Sequence, residues 1–245
     1  MSNRNITRRQ CLVGACGLGG LGLGMALGVK AELSSTKSIN IENAEEPYPR
    51  NANEALVRLK EGNKRFINDK PYHAHTNITW RSLLVEIQKP FATILGCSDS
   101  RVPPEFIFDT GFGELFTIRL AGNIISEDVI GSLQYAVIHL HTPLIVVLGH
   151  EGCGAVTATV EEMLDRAKEP ERIESLIQLI KPGLSKLDLK QRHNALLSAA
   201  VEANVRWSIQ QLSVLPERER IDIEKRAVII GGVYDLATGR VRFLD

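Results

Sequence analysis

Runs of apolar residues and segments of helical periodicity alternate along most of the chain, and they predict the order of its helices and strands. The first periodic segment covers residues 53–68, with Asn53 as the expected N-cap and Pro71 beyond its end. Three apolar runs of strand length follow it, at residues 91–96, 115–120 and 144–149. Buried strands separated by enough chain for helices are typical of a parallel sheet, so the pattern predicts an α/β fold.

Further helices are expected between and after these strands. A short helix is predicted over residues 80–88, and longer helices are predicted after Ser126, over 155–167 and over 190–212. The last part of the chain has the pattern of a strand at 227–234, a turn at 235–239 and a returning strand at 240–244. The predicted architecture is a parallel central sheet flanked by helices, with an added C-terminal edge strand.

The first 31 residues have the pattern of an export signal. They carry Arg4, Arg8, Arg9 and Lys30 and no acidic residue, and residues 11–29 are uncharged. The paired Arg8 and Arg9 before a glycine-rich core indicate the twin-arginine route to a periplasm or a thylakoid lumen, with cleavage expected before Glu32. An uncleaved membrane anchor is the alternative. Seven glycines in residues 11–29 disfavour it, so no stable membrane anchoring is expected.

Composition sets the remaining limits on domain organisation and partners. Residues 32–50 are polar and contain two prolines, which indicates a linker or arm, and residues 51–245 are expected to form one domain. The chain has 29 basic and 29 acidic side chains, and only 5% of its residues are aromatic. Loss of residues 1–31 would remove four basic side chains and no acidic one, which changes the net charge from 0 to −4. No nucleic-acid partner is expected, because such proteins carry a basic surface.

Candidate chemistry lies directly after two of the predicted strands. Cys97, Asp99 and Arg101 follow the first strand, and His150 and Cys153 follow the third. Ligand sites in open α/β sheets lie at the carboxyl ends of the strands, so the two clusters are expected to meet. Two thiolates and an imidazole are the donors that zinc prefers, and Asp99 could complete a tetrahedron. The sequence therefore predicts a Zn²⁺ site.

From residue 51 to the end, the chain resembles the β-class carbonic anhydrases. The resemblance is carried by the motifs CSDSRVP (97–103), GELF (113–116), RLAGN (119–123), SLQYAV (132–137) and GHEGCG (149–154). It implies zinc ligands at Cys97, His150 and Cys153 and a dyad of Asp99 and Arg101. It implies a substrate pocket formed by Gln88, Phe116, Tyr135 and the backbone N–H of Gly154. It also implies reversible hydration of carbon dioxide to bicarbonate, and a homodimer or higher homo-oligomer.

The implied chemistry agrees with the residue types. Zinc held by three protein ligands can lower the pKa of a bound water to about 7, which provides hydroxide to attack carbon dioxide. Asp99 would accept a hydrogen bond from that hydroxide and orient it. Arg101 would keep Asp99 ionised and away from the metal. If Asp99 bound the zinc instead, the open position would close and activity would stop.

Other functions of the same residues stay open at this point. The site could hydrolyse carbon disulfide or carbonyl sulfide, or the chain could be a zinc-binding relative without catalysis. A Cys97–Cys153 disulfide is a further alternative, because an exported protein meets an oxidising compartment. A phosphatase or rhodanese loop with Cys97 as nucleophile is excluded by spacing, since Arg101 lies too near Cys97 to form a phosphate cradle.

One position departs from some bacterial members of the family. Those members carry a tryptophan three residues before the first zinc cysteine, where it forms an inhibitory bicarbonate pocket with an arginine and a tyrosine. Here that position is Ile94, although Arg119 matches the arginine. Isoleucine has no N–H group and no flat ring, so the sequence predicts that bicarbonate does not inhibit cooperatively.

Overall fold

The computed structural model describes residues 48–215, 223 and 226–244. Its five strands form one sheet in the order β2-β1-β3-β4-β5, in which the first four strands are parallel and β5 is antiparallel to β4. The strands are β1 (Ala92–Gly96), β2 (Leu115–Arg119), β3 (Leu144–His150), β4 (Val228–Tyr234) and β5 (Val241–Leu244). The predicted parallel sheet with its C-terminal edge strand is confirmed.

Seven α-helices and one 3₁₀ turn accompany the strands within the described residues. The helices are α1 (Ala52–Ile67), α2 (Ile78–Leu83), α3 (Pro104–Ile107), α4 (Glu127–Ile138), α5 (Gly154–Met163), α6 (Glu171–Leu184) and α7 (His193–Ser213), and the 3₁₀ turn is Ala121–Asn123. None of the helices in this part of the chain is long and apolar enough to cross a membrane. The predicted signal at 1–31 lies outside the described residues.

Several predicted boundaries are wrong by a few residues. The N-cap of α1 is Asn51 and not Asn53, because Asn51 Oδ1 accepts from the Glu54 N–H at 3.0 Å. Helix α2 ends at Leu83 rather than near residue 88, so Gln88 lies in an exposed segment before β1. The helix predicted over 155–167 stops at Met163, and α6 was not predicted.

Only the last three residues of the predicted 32–50 linker are described, and one of them packs against the domain. Tyr48, which falls inside the predicted 32–50 linker, is half-buried with its hydroxyl oxygen shielded from solvent, and its ring meets Phe91 edge-on with centroids 6.4 Å apart. Burial, together with the nearby Glu114 carboxylate, raises the pKa of the Tyr48 hydroxyl. The packed domain therefore begins at least as early as Tyr48, and residues 1–47 lie outside the described part.

The centre of the sheet is completely buried, and this fixes where the candidate residues emerge. Every residue of β1 and β3 is buried. Gly96 of β1 is in register with Leu148 of β3, so both strands end at the same edge of the sheet. Helix α7 lies directly across β3 and β4. A Cβ on Gly149 would come within 2.5 Å of Val205, so the glycine permits this close approach.

Candidate metal centre

Three donor side chains meet at the carboxyl edge of the sheet. Cys97 follows β1, His150 ends β3, and Cys153 caps α5. Their ligand atoms all lie within 4.8 Å of one another, and all three residues are buried. The two Sγ atoms are 3.9 Å apart, whereas a disulfide requires about 2.05 Å. Both cysteines are free, so the disulfide alternative is wrong for this structure.

The imidazole of His150 is oriented for metal binding. Its Nδ1 lies 3.0 Å from the Glu151 carbonyl oxygen, which fixes the proton on Nδ1 and leaves the lone pair on Nε2. Nε2 is buried and has no hydrogen-bond partner among the described residues. A buried polar atom without a partner is costly, and a cation between Nε2 and the two sulfurs would satisfy it. The donor set fits zinc.

The two cysteines titrate as a pair. A hydrogen bond from the Cys153 thiol lowers the pKa of Cys97, although burial opposes this shift. The same hydrogen bond raises the pKa of Cys153, so the first proton leaves the pair far more easily than the second. A metal cation favours loss of the second proton, because the thiolate is the ligating form.

Asp99 lies beside this group in a fixed orientation. Arg101 donates to it through both ends of its guanidinium, from Nε to Oδ1 at 2.9 Å and from Nη2 to Oδ2 at 2.7 Å. These bonds hold the pKa of Asp99 well below its usual range, so the carboxylate is ionised. Asp99 Oδ2 is 3.9 Å from His150 Nε2. The carboxylate therefore points to the donor group while it stays paired with Arg101.

The side chain of Arg119 is engaged by the loop that carries Cys97. Its Nε donates to the Cys97 carbonyl at 2.9 Å and its Nη2 donates to the Asp99 carbonyl at 2.6 Å. Ile94, which occupies the position of the tryptophan in some bacterial members of the family, is fully buried in β1. Arg119 therefore braces the loop, and Ile94 offers no polar group beside it.

We accordingly expect bicarbonate to inhibit only as a competing product. Initial rates measured against bicarbonate concentration should fall hyperbolically, because Arg119 already donates to two backbone carbonyls and Ile94 supplies no further donor for an anion there. Chloride at the same ionic strength is the control for screening. A steep sigmoidal loss of activity, or a second bicarbonate beside Arg119 in a crystal, would contradict this expectation.

The predicted pocket residues are only partly brought together. Phe116 and Tyr135 pack with their ring centroids 6.1 Å apart. Phe116 lies three positions before Arg119, which places it about 10 Å along β2 from the sheet edge that carries the site. Gln88 is exposed, and none of the described contacts joins it to the donor group. Gly154 begins α5 directly after Cys153, where first-turn N–H groups have no acceptor within the helix.

Sequence reasoning missed the residues behind Cys97. The Gly122 N–H donates to Cys97 Sγ at 3.3 Å. Gly122 belongs to the Ala121–Asn123 turn. Asn204 and Ser208 of α7 donate to the carbonyls of Gly122 and Asn123 in this turn. The available signal was two polar residues one turn apart among the apolar positions of a predicted helix.

Comparison with known proteins agrees with this geometry. A family model described as carbonic anhydrase matches residues 92–241. Carbonic anhydrase 2 of Mycobacterium tuberculosis is 38% identical over 200 residues, which is 78% of this chain and 92% of that protein. A carbonic anhydrase of Mycolicibacterium smegmatis is 39% identical over 197 residues, with 76% and 90% covered.

Solved structures give the same result for the fold. One of two tetrameric β-carbonic anhydrases from Sordaria macrospora superposes with a TM-score of 0.61 at 26% identity, covering 71% of this chain and 89% of that one. A Coccomyxa β-carbonic anhydrase in complex with acetazolamide superposes with a TM-score of 0.58 at 26% identity, covering 77% and 86%.

Proposed function

The chain belongs to the β-class carbonic anhydrases, and on that premise we propose that Cys97, His150 and Cys153 bind one zinc ion at which carbon dioxide is reversibly hydrated to bicarbonate. The enzyme is accordingly a carbonate dehydratase. One observation carries the proposal. The buried, unpartnered Nε2 of His150 lies beside two buried sulfurs, with an ionised Asp99 3.9 Å away. In a purely structural core, this arrangement would only cost stability. A bound metal ion would give each of these atoms a partner.

Each neighbouring residue then has a defined role. Zinc bound there would supply Lewis-acid activation of water at neutral pH. Asp99 Oδ2 would accept a hydrogen bond from the attacking water and so orient it toward the carbon of the substrate. Arg101 holds Asp99 ionised and in place. The Gly154 N–H, at the N-terminus of α5, would donate to the developing bicarbonate, and the helix dipole favours that negative charge.

Substrate identity is tested with two linked measurements on the chain without its signal. Zinc content and carbon dioxide hydration are measured on the same sample, and carbonyl sulfide and carbon disulfide are offered in parallel. We expect one zinc per chain with hydration as the dominant activity. Stoichiometric zinc without hydration would support the zinc-binding relative, and faster turnover of a sulfur substrate would support the alternative hydrolase.

We also propose that the enzyme is a homo-oligomer. Strand β2 is an edge of the sheet, and the nearby rings of Phe106 and Phe112 are 64% and 53% exposed. Both rings line one pocket together with Leu115 of β2, and a contiguous exposed apolar patch is typical of a protein–protein contact site. Sedimentation at micromolar concentration should therefore give a mass of two chains or more, and Phe106→Asp should shift it toward one chain. A monomer mass for the unaltered protein would contradict the proposal.

Export through the twin-arginine route is proposed from Arg8 and Arg9. Changing both to lysine should leave the protein in the cytoplasm, folded and active, because the donor residues lie far along the chain from the signal. Fractionation followed by an activity assay measures this. Changing Arg4 to lysine is the matched control and should leave export intact. Continued export of the double variant would show that another route is used.

A further inference from the structure

Two buried polar residues of α7 face the turn behind Cys97. Asn204 and Ser208 lie one helical turn apart and are 1% and 0% exposed. Asn204 Nδ2 donates to the Gly122 carbonyl at 2.8 Å. Ser208 Oγ donates to the Asn123 carbonyl at 3.0 Å. Both side chains therefore donate to the backbone of one three-residue turn, and Ser208 Oγ also accepts from Asn123 Nδ2 at 3.4 Å.

The Ala121–Asn123 turn places a backbone N–H group beside the sulfur of Cys97. Gly122 has a φ of +70° and Asn123 a φ of +44°, so two successive residues have left-handed conformations. The Gly122 N–H donates to Cys97 Sγ at 3.3 Å. Glycine itself has little conformational preference, so the direction of this N–H depends on what holds the turn. The carbonyl of Gly122 is held by Asn204.

Close packing fixes helix α7 in position relative to the Ala121–Asn123 turn. Val205, the neighbour of Asn204, lies over Gly149, where an added Cβ would come within 2.5 Å of it. Gly149 directly precedes His150. On the other side, a Cβ on Gly122 would come within 2.8 Å of Ile180 and 3.1 Å of Ala155. The turn is therefore enclosed by α5, α6 and α7, and α7 contacts both this turn and the segment that leads into His150.

We propose that Asn204, with Ser208, is a positioning residue of the metal site that aims the Gly122 N–H at the sulfur of Cys97. This inference rests on the zinc site of the proposed function. A hydrogen bond to a thiolate withdraws electron density from sulfur and so weakens its donation to a metal. Mutation of residues that hydrogen-bond to metal ligands commonly changes the metal affinity by about 10-fold to 100-fold. Asn204 and Ser208 act on Cys97 only through the backbone of the turn.

Cobalt substitution tests this without an activity assay. Asn204→Leu keeps the branched shape and the number of side-chain heavy atoms, and it removes the donor to the Gly122 carbonyl. In the Co²⁺-loaded protein, the sulfur-to-cobalt charge-transfer band should move to longer wavelength, because the sulfur has lost the Gly122 N–H. Zinc affinity, measured by chelator competition, should fall by about 10-fold, because the looser turn no longer holds Cys97 in place and this loss outweighs the stronger donation of the sulfur. Ser208→Ala should move the band in the same direction by a smaller amount.

A matched control separates positioning from stability. Asn63 is also buried, and its Nδ2 donates to the Ile107 and Gly239 carbonyls, away from the donor group. Asn63→Leu should lower the unfolding temperature and leave the cobalt band unchanged.

The possible results distinguish this inference from the proposed function. An unchanged band and an unchanged affinity in Asn204→Leu would overturn it, as would the same shifts in Asn63→Leu. If Asn204→Leu does not fold, as judged by circular dichroism, the band of Ser208→Ala decides the question. If the unaltered chain binds neither metal, the proposed zinc site fails and this inference fails with it.

Discussion

Replacing Cys153 with serine should release the metal and lower carbon dioxide hydration by on the order of 10³-fold or more, because activated water is lost with it. The serine hydroxyl is a poor zinc ligand, since it does not ionise near neutral pH as a thiol does. The remaining Cys97 and His150 provide two donors, which are too few for a stable zinc site. Cys153 is 2% exposed and precedes α5, where serine is a favourable residue, so the variant should fold.

Zinc per chain, hydration rate and thermal unfolding are measured together on this variant. Thr159→Ser is the matched control. Thr159 is buried on the same helix, and its hydroxyl donates to the Ala155 carbonyl at 2.9 Å, a bond that serine can keep. The control should keep its zinc. Stoichiometric zinc and full activity in Cys153→Ser would show that the ligands are assigned wrongly.

The sheet could be predicted from sequence because its central strands are buried on both faces. Such strands are continuous apolar runs, and β1 and β3 match their predicted positions within one residue. Helix α6 was missed for a physical reason. It contains Pro182 and begins in a charged segment, and its apolar residues Ile177, Ile180 and Leu184 become a recognisable stripe only when the rest of the core is present.

The candidate site was likewise predictable only in part from the sequence. That Cys97, His150 and Cys153 meet beside the Asp99–Arg101 pair could be predicted, because residues at the ends of neighbouring parallel strands lie at one edge of the sheet. Asn204 and Ser208 could not, since a polar residue on a helix has no identifiable partner until the turn that it contacts is placed. Likewise, the bonds from Arg119 to the Cys97 loop depend on the register of β1 and β2, which the apolar pattern does not define.

Arg101→Ala should retain zinc but lose about 10²-fold in activity, the usual effect of removing one preorganised group near the reacting atoms. Arg101 is 55% exposed and packs little, whereas both of its bonds to Asp99 hold that carboxylate in one orientation. Without them, Asp99 keeps only the bond from the residue-101 backbone N–H to Oδ1, and Oδ2 becomes free to bind the metal and close the open position. Loss of Arg101 also raises the pKa of Asp99 toward its ordinary value of about 3.9.

The lower activity of Arg101→Ala could come from protonation of Asp99 or from a change in its position, and the size of the pKa change distinguishes the two. A carboxyl with a pKa near 4 is still ionised at pH 7, so protonation of Asp99 cannot cause a loss of activity at neutral pH. The loss must then come from its position. Lysine restores the charge but not the two-pronged geometry, so Arg101→Lys should recover only part of the activity.

The measurements are zinc content, hydration rate at neutral pH and a crystal structure of Arg101→Ala. Arg206→Ala is the control, because Arg206 is similarly exposed and pairs with Glu202 on α7. That control should keep both zinc and activity, since it removes an arginine–carboxylate pair without touching the metal centre. If Arg101→Ala turned over at a near-normal rate and its crystal structure showed a water on the zinc with Asp99 unmoved, the assignment of Arg101 as the residue that holds Asp99 off the metal would be wrong.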